Sequence, residues 1–308
     1  MMEVVHGLKN VPQSFKGGAI AIGFFDGVHW GHRAIFDRLL DVSRNAGISG
    51  IAFTFDRHPA ELLAPEAAPP YITTLPQRIE LIREAGVERI LIAEFEPDLA
   101  LLTPHEFLRK IVSQLLSAKY VVVGSNFRFG RNREGDIRYL SSVATEFGFE
   151  LSVVPSVIID GAPVSSTRIR LIISRGDVEL ASKLLGRWFV LRGTVVPGDR
   201  IGRTIGFPTA NIQTEPRQLI PAHGVYTVQT RIDGSVYNGL CYIGRRPTFR
   251  DTRETVEVHV MGYSGDLYGH VLDVAFLRRL RGEMVFKSAD ELAEQIRKDM
   301  QRAMSELK

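Results

Sequence analysis

What the sequence lacks narrows its class before any motif is considered. Cys241 is the single cysteine, so one chain cannot form an internal disulfide, and nothing indicates an oxidising compartment. No stretch approaches the roughly 18 consecutive apolar residues that a membrane-spanning helix needs. Residues 1–13 show no basic segment followed by an apolar core, the pattern of a secretory leader. We therefore expect a cytoplasmic protein without a membrane partner.

The sequence also lacks a strong excess of either charge. Its 38 basic and 35 acidic residues leave a formal net charge of only +3, so the pI near 9.0 reflects a narrow balance. Such a balance suits small anionic substrates at least as well as nucleic acid, and we expect no nucleic-acid partner. A length of 308 residues is ample for two domains, each with its own core.

The stretch 23–32 joins a predicted strand to a predicted helix. Ala19–Ile22 is an apolar run typical of a buried strand, and apolar side chains recur at helical spacing between Arg33 and Ala46. Glycines let the backbone turn tightly and approach a ligand, while the first turn of a helix offers unpaired N–H groups to an anion. The candidate phosphate-binding residues of this turn are Gly23, Phe25, Asp26, Gly27 and Gly31.

Two histidines complete the turn. His29 and His32 are three residues apart, so on an opening helical turn both imidazoles can point the same way and donate hydrogen bonds to phosphoryl oxygens. A His-x-x-His pair could also bind a metal or be two unrelated surface histidines. A metal is disfavoured because the chain has one cysteine and no third ligand cluster nearby. Trp30, between them, could stack on a ring or merely cover the helix.

Predicted strands and helices alternate through the first half, which indicates a parallel sheet of the Rossmann-like α/β class. The further strands are expected at residues 50–55, 89–93 and 120–124, with helices beginning at Pro76 and at about Pro104. No Gly-x-Gly-x-x-Gly dinucleotide fingerprint is present. Parallel sheets bind ligands beyond the carboxyl ends of their strands, which is where His29, His58 and Asn126 fall.

The segment after the 120–124 strand supplies candidate residues for binding a planar ring. Asn126 can hydrogen-bond the edge of a planar ring, and Phe127 or Phe129 can flank one, with Arg128 between them. The alternative is a structural turn with two core aromatics.

Three consecutive hydroxyls precede a predicted helix near residue 167. Ser165, Ser166 and Thr167 are more than a helix N-cap needs, since one hydroxyl is enough for that purpose. Hydroxyls and backbone N–H groups bind phosphate oxygens, and the guanidinium of Arg168 can clamp two at once. This segment is therefore a second candidate element of the phosphate site.

Helical periodicity gives way to short alternating strands after Gly186, so we place the domain boundary between residues 185 and 186. The two predicted domains are 1–185 and 186–308. Strands are expected at 225–231, 235–243, 255–260 and 271–277, with Asp233-Gly234 as a hairpin turn. Together they predict a small antiparallel β-barrel, followed by a C-terminal helix whose apolar stripe contains Leu292, Ile296 and Met300.

The glycine-rich stretch 193–211 is the candidate second site. Glycines between strands let backbone N–H groups cradle phosphates, although such turns are more often plain hairpins. Thr209 and Asn211 are two apart on a predicted strand, so their oxygens point the same way and can serve magnesium and its phosphates. The other candidate ATP-binding residues here are Gly198, Gly202, Arg203, Gly206 and Pro208. Further along, Glu257 and His259 alternate with valines, which places both on one strand face.

The order of these motifs is similar to that in a known family. Phe-Asp-Gly-Val-His-x-Gly-His (25–32), Asn-Phe-x-Phe-Gly (126–130) and Ser-Ser-Thr-x-Ile-Arg (165–170) resemble the FMN adenylyltransferase module of the prokaryotic bifunctional riboflavin kinase/FAD synthetase family. Gly-Phe-Pro-Thr-Ala-Asn (206–211) resembles the riboflavin kinase motif of the same family. The resemblance covers nearly the whole chain. It implies riboflavin, FMN and ATP as substrates, with FMN and FAD as products.

The resemblance also implies residue roles. In the first half, His29, His32 and Arg168 would act catalytically on ATP phosphates, while Asn126, Phe127 and Arg128 would bind flavin. In the second half, Thr209 and Asn211 would hold Mg with ATP, and Glu257 would take the proton of the riboflavin terminal hydroxyl. Arg281 and Glu283 would lie near the flavin.

Two departures from the family pattern lie in the second half. Tyr242 stands where relatives usually have asparagine, and Gly282 where an acidic residue is common. These departures leave open the alternative that the chain is a single-activity enzyme whose second half only binds flavin. A flavin- or nucleotide-binding regulator without catalysis is the other alternative.

Overall fold

The computed structural model describes residues 3–198, 202, 206–247 and 252–306. It divides into two compact units. The sheet unit comprises Met1–Pro69 and Leu75–Ser166, and the barrel unit comprises Pro70–Thr74 and Thr167–Lys308. The short segment 70–74 belongs to the barrel unit because Tyr71 exchanges backbone hydrogen bonds with Arg217 and Leu219, each 2.7 Å long. The boundary after residue 185 stays a prediction.

The sheet unit is built on six parallel strands in the order β1-β4-β3-β2-β5-β6. Their bounds are β1 Glu3–His6, β2 Ala19–Ile22, β3 Gly50–Phe55, β4 Arg89–Ala93, β5 Tyr120–Gly124 and β6 Glu150–Val154. The predicted Rossmann-like architecture is thereby confirmed. Because all strands run the same way, the turns after β2, β3 and β5 lie at one edge of the sheet.

Helices cover both faces of this sheet. They are α1 Trp30–Ala46, α2 Pro59–Leu63, α3 Leu75–Glu84, α4 Pro97–Ala100, α5 Pro104–Phe107 and α6 Ile137–Phe147. The last turn of α5 continues as a wider helix, Leu108–Leu115. Neighbouring strand residues enter opposite cores: Ile20 packs in one apolar cluster and Ala21 in the other. Burial on both faces explains why β2 is apolar at every position.

The barrel unit contains a closed antiparallel barrel in the order β10-β13-β12-β11-β14-β9. Its strands are β9 Phe189–Val196, β10 Ala210–Thr214, β11 Gly224–Ile232, β12 Ser235–Pro247, β13 Thr252–Val260 and β14 Val271–Arg281. A short hairpin, β7 Ile158–Ile159 and β8 Ala162–Pro163, precedes it in the sheet unit. Asp233 and Gly234 have φ values of 49° and 81°, the left-handed pair of a type I′ turn, which confirms the predicted hairpin.

Three further helices flank the barrel strands in the chain: α7 Ser166–Ser174, α8 Val178–Leu185 and α9 Ala289–Glu306. Ile296 and Met300 of α9 pack on Val225 and Leu240, so this part of the predicted apolar stripe is core. In the described part of the chain, no helix combines the length and the apolar character needed to cross a bilayer.

A buried ion pair fixes α9 to the barrel. Arg281, at the end of β14, lies 2.9 Å from Asp299, whose side chain is 6% exposed. Gln295 donates to the same carboxylate at 2.9 Å. Breaking a buried pair by removing one partner is costly because the other charge stays desolvated.

We therefore expect Asp299→Ala to lower the free energy of unfolding of the barrel by about 3 kcal/mol. A Trp30→Phe background leaves Trp188, in the barrel unit, as the single tryptophan, so urea unfolding followed by its fluorescence reports on this unit. Asp290→Ala, at an exposed position of α9, is the matched control and should change the midpoint little. An equal shift for both variants would contradict the assignment.

Candidate active sites

The turn after β2 has an unusual backbone. Gly23 N–H donates to Phe53 O at 3.1 Å, and Phe25, Gly27 and Val28 then adopt φ values of 54°, 83° and 37°. Left-handed backbone is unfavourable for phenylalanine and valine, so the surrounding contacts must hold it. Phe25 and Val28 are both buried in the core on one face of the sheet. The turn is therefore a fixed element.

Two of its glycines leave space for neighbouring rings. A Cβ on Gly23 would lie 2.7 Å from Phe25 Cε1, closer than real atoms approach. A Cβ on Gly31 would lie 3.1 Å from His29 Cε1, so any side chain there presses on the imidazole. Both positions are restricted by close approach.

The structure brings the two predicted histidines together. His29 is the N-cap of α1, so it lies just before the first helical turn and not within it. Its Nδ1 accepts from the His32 N–H at 3.4 Å. The two rings stack with centroids 3.7 Å apart and planes 19° apart. His29 is 4% exposed, and Phe25 packs edge-on against His32. The imidazoles are thus oriented at the positive end of a long helix.

Arg78 of α3, which the sequence analysis did not single out, holds this turn in place. Its Nη1 donates to Phe24 O and its Nη2 to Phe55 O, both at 2.7 Å, and its guanidinium lies 4.4 Å from the centre of the Phe24 ring. One side chain therefore joins the turn after β2 to the end of β3. Its partners are backbone carbonyls, which no sequence pattern marks.

The charge of Arg78 is almost entirely buried, with 2% of the residue exposed. Burial lowers the pKa of Arg78 to about 10, while the carboxylates of Asp26 and Asp56 act in the opposite direction. The group is still a cation at neutral pH. It places a positive charge within reach of the buried Asp26 carboxylate in the predicted phosphate-binding turn.

His58 and Asn126 also follow strand ends at this edge. His58 caps α2, where its Nδ1 accepts from the Ala60 N–H at 3.1 Å, and its ring packs edge-on against Phe24. Asn126 is exposed beyond β5, the neighbour of β2. Arg128 forms an ion pair with Asp136 at 3.6 Å.

The two phenylalanines of this loop differ in environment. Phe129 is 7% exposed and belongs to the core, where it meets Phe107. Phe127 stacks on Phe129 at 5.5 Å and is only partly buried. Phe129 therefore fills the structural role that the sequence left open, whereas Phe127 keeps an accessible face.

The hydroxyl segment contacts the same turn through Ser166. Ser166 begins α7, and its Oγ donates to Asp26 O at 2.9 Å. Ser165 precedes it and is half-buried. Thr167 and Arg168 follow in the helix and belong to the barrel unit, so their place at the phosphate site stays a prediction.

The second candidate site lies on the outer face of the barrel. Thr209 Oγ1 donates to Glu257 Oε2 at 3.1 Å, and Asn211 lies directly opposite Glu257 in the β10–β13 register. Their strand neighbours Ile212 and Val258 are buried inside. On the other side, Tyr242 is the cross-strand partner of Glu257. A row of polar side chains thus crosses three strands.

Glycines keep the approach to this row open. A Cβ on Gly198 would collide with the Asn211 amide, and one on Gly202 would lie 3.3 Å from Thr209 Oγ1. Gly206 has a φ of 87°, which favours glycine. Pro208 O accepts from His259 Nδ1 at 2.8 Å. Arg203, also a candidate, lies outside the described residues.

The two residues expected near flavin are already engaged within the protein. Arg281 is bound to Asp299, as described above. Glu283 accepts from Tyr242 Oη at 3.1 Å and from His223 Nδ1 at 3.2 Å. Burial raises the pKa of Glu283, but the hydrogen bonds from Tyr242 and His223 outweigh it, and the net shift is downward. His223 is a residue that the sequence did not mark.

The donor atoms around Glu257 suit a hard cation. They are a hydroxyl, an amide oxygen and a carboxylate, the ligand types that magnesium prefers. Within the described ranges, no group of three or more His, Cys, Asp or Glu side chains forms a ready-made metal centre. Such a site therefore suits an ion that arrives with a polyphosphate and takes part of its coordination from it.

Comparison with known families separates the chain into two matched parts. A family model described as FAD synthetase matches residues 11–168, and one described as riboflavin kinase matches residues 185–307. The first contains the stacked histidines and the second contains the Thr209–Glu257 pair. The class defined by fold and site is thus a flavin-nucleotide enzyme with two modules.

Full-length relatives carry both modules. The bifunctional riboflavin kinase/FMN adenylyltransferase of Escherichia coli (strain K12) is 37% identical over 300 residues, covering 97% of this chain and 96% of the relative. That of Bacillus subtilis (strain 168) is 32% identical over 308 residues, with 98% and 96% covered. The chain belongs to the bifunctional riboflavin kinase/FMN adenylyltransferase family.

A solved structure shares the fold over the whole length. The crystal structure of a protein named as a macrolide-efflux protein from Streptococcus pneumoniae superposes with a TM-score of 0.88 at 30% identity, covering 98% of each chain. The efflux name belongs to that protein and is not carried over. The likeness shows that both modules occur together in a solved protein of the same length.

Arg78 gives the first test of the sheet-unit site. Arg78→Lys keeps the positive charge, but a single ammonium cannot replace the two-pronged bond to Phe24 O and Phe55 O. We expect conversion of FMN to FAD to fall about tenfold, the order of one charged hydrogen bond, with riboflavin phosphorylation retained. Arg83→Lys, at an exposed position of the same helix, is the control. Wild-type FAD formation by Arg78→Lys would show that the turn does not depend on this residue.

Proposed function

We propose that the chain makes FAD from riboflavin in two ATP-dependent steps. The barrel unit transfers the γ-phosphate of ATP to riboflavin and yields FMN and ADP. The sheet unit transfers AMP from a second ATP to FMN and yields FAD and pyrophosphate. The observation that carries the proposal is the stacked His29–His32 pair at the start of α1, in the chain that also carries the Thr209–Glu257 pair. The expected cytoplasmic location stays a prediction.

Adenylyl transfer needs positioning and charge stabilisation more than acid–base chemistry. The phosphate of FMN is already a nucleophile; its oxygen forms a bond to the α-phosphorus of ATP, and the bond to the leaving pyrophosphate breaks. His29 and His32 donate to phosphoryl oxygens from a turn that Arg78 and the left-handed backbone hold in place. No covalent enzyme intermediate is required.

Other residues of the sheet-unit site bind the substrates. We assign ATP to two segments. The first is the glycine-rich turn, with Gly23, Phe25, Asp26, Gly27 and Gly31. The second is the hydroxyl segment, with Ser165, Ser166, Thr167 and Arg168. We assign the flavin to the loop after β5, where Asn126 and Arg128 are exposed and Phe127 keeps one accessible face. Since β5 neighbours β2, both substrates would meet at one edge of the sheet.

The kinase step needs a base. Glu257 takes the proton of the riboflavin terminal hydroxyl while that oxygen bonds to the γ-phosphorus and ADP leaves. The Thr209 hydroxyl fixes the carboxylate by donating to it. Thr209 and Asn211 would hold Mg, which, when bound, neutralises charge on the phosphates. Gly198, Gly202, Arg203, Gly206 and Pro208 would surround ATP, and Arg281 and Glu283 would border the flavin.

Loss of one histidine separates the two reactions. His32→Ala removes a phosphate donor from the sheet unit and leaves the barrel unchanged, so we expect FAD formation to fall at least about a hundredfold while FMN formation continues. Chromatography of riboflavin, FMN and FAD measures both. His105→Ala, an exposed histidine of the sheet unit, is the matched control. Equal loss of both activities in His32→Ala would count against two independent sites.

The reciprocal variant is Glu257→Gln. It keeps the shape of the side chain but removes the base, so riboflavin phosphorylation should fall about a hundredfold or more, while added FMN is still adenylylated. Glu215→Gln, exposed in the barrel unit, controls for the loss of a carboxylate. If Glu257→Gln phosphorylates riboflavin at the wild-type rate, the base is another group.

A further inference from the structure

A four-residue network joins the strand ends at one end of the barrel. Glu283, just after β14, accepts a hydrogen bond on each carboxylate oxygen: Oε1 from Tyr242 at 3.1 Å and Oε2 from His223 at 3.2 Å. The other ring nitrogen of His223 lies 3.1 Å from Glu254 Oε1. The network therefore holds the residue before β11 against β12, β13 and the end of β14.

The His223 ring can donate to both glutamates in only one form. Both ring nitrogens face carboxylate oxygens, and a neutral imidazole carries only one N–H, so one carboxylate would then face a lone pair. Only the imidazolium donates to both. Within the described residues, the titratable and charged side chains that contact His223 or Glu283 include Tyr242 of β12, Glu254 of β13 and Arg279 of β14.

Arg279 does not compete with the ring for these carboxylates. Its Nη2 donates to the His223 backbone O at 2.7 Å, and its Nη1 faces Arg175 O. Arg245 contributes its backbone N–H to Glu283. The ring thus lies between two carboxylates, and its hydrogen bond to Glu283 adds to the one from Tyr242.

The network borders the candidate kinase base. Tyr242, whose hydroxyl holds Glu283, lies directly opposite Glu257 across β12 and β13. Gly244 keeps this corner clear, because a Cβ there would collide with the Tyr242 hydroxyl and lie 2.6 Å from Glu283 Oε1. A displacement of Glu283 would therefore release the Tyr242 ring next to Glu257.

We propose that His223, in its imidazolium form, and Tyr242 are positioning residues for riboflavin phosphorylation, because together they fix Glu283 and the end of β14 beside the Tyr242–Glu257 pair. The inference rests on the proposed kinase function of the barrel. It makes the kinase step depend on one proton that takes no part in the chemistry. Without that proton, one of the two carboxylates would face a lone pair of the ring.

The test compares kcat and KM for riboflavin phosphorylation. His223→Gln, which cannot donate to both carboxylates, should lower kcat/KM about tenfold, the loss expected for one charge-assisted hydrogen bond. His223→Arg keeps a charge that can donate to both carboxylates and should retain most of the wild-type kcat/KM. Tyr242→Phe should lower kcat about fivefold, since one of the two bonds to Glu283 remains.

Two controls separate positioning from folding. FMN adenylylation by the same variants should stay at the wild-type rate, and His270→Gln, at an exposed histidine of the barrel unit, should keep the wild-type kinase activity. Wild-type kcat/KM in His223→Gln, a loss in His223→Arg as large as that in His223→Gln, or a parallel loss of adenylylation would each overturn the proposal.

The ring charge has a readout that does not need kinase activity. Nitrogen-15 shifts of the histidine rings, with the His223 signal assigned by its loss in His223→Gln, should report an N–H on both ring nitrogens under the conditions of the kinase assay. A neutral ring would overturn the proposal even in an active kinase. Failure of wild-type protein to phosphorylate riboflavin would instead refute the proposed function, while the ring spectrum still reports on the network.

Discussion

The buried guanidinium of Arg78 is the contact on which the sheet-unit site depends. The turn after β2 ends in backbone carbonyls that helix and strand ladders leave without partners, and buried carbonyls need a donor. Arg78 supplies one to Phe24 O and one to Phe55 O, and Thr54 Oγ1 adds a second donor to Phe24 O at 3.0 Å. With these bonds made, the turn can keep its left-handed residues and present both imidazoles at the start of α1.

In the barrel unit, the candidate site is held by side chains on the outer surface. Its interior is filled by alternating apolar residues, so Glu257, Asn211 and Tyr242 share the opposite face. Helix α9 covers part of that face through the Arg281–Asp299 ion pair. The candidate kinase residues therefore lie on the barrel face that α9 partly covers. Each unit thus holds one candidate site, the sheet unit through hydrogen bonds to backbone carbonyls and the barrel unit through side chains on its outer face.

Much of the fold could be predicted because it depends on local periodicity. Apolar runs marked β2 and β5, and alternation marked β11 to β13. The end of β14 was missed: the prediction stopped at Leu277, whereas the strand continues to Arg281. Arg278, Arg279 and Arg281 lie in this missed part of the strand. In the structure each is held by a partner, Glu179, His223 O and Asp299 respectively.

The candidate sites could be predicted only in part from the sequence. His29 and Thr209 were proposed as site residues from their types and spacing, and Glu257 from the family resemblance. Arg78 and His223 were not, because their roles depend on partners distant in sequence: backbone carbonyls for Arg78 and two separated glutamates for His223. Long-range contacts of single polar residues leave no periodic signal.

The most direct test of two sites in one chain is a chromatographic time course of purified protein with riboflavin, ATP and Mg. The account predicts that FMN rises first and is then converted to FAD, with ADP released in the first step and pyrophosphate in the second. Formation of FAD from added FMN alone, with no FMN made from riboflavin, would contradict it, because the Thr209–Glu257 site would then not be a kinase site.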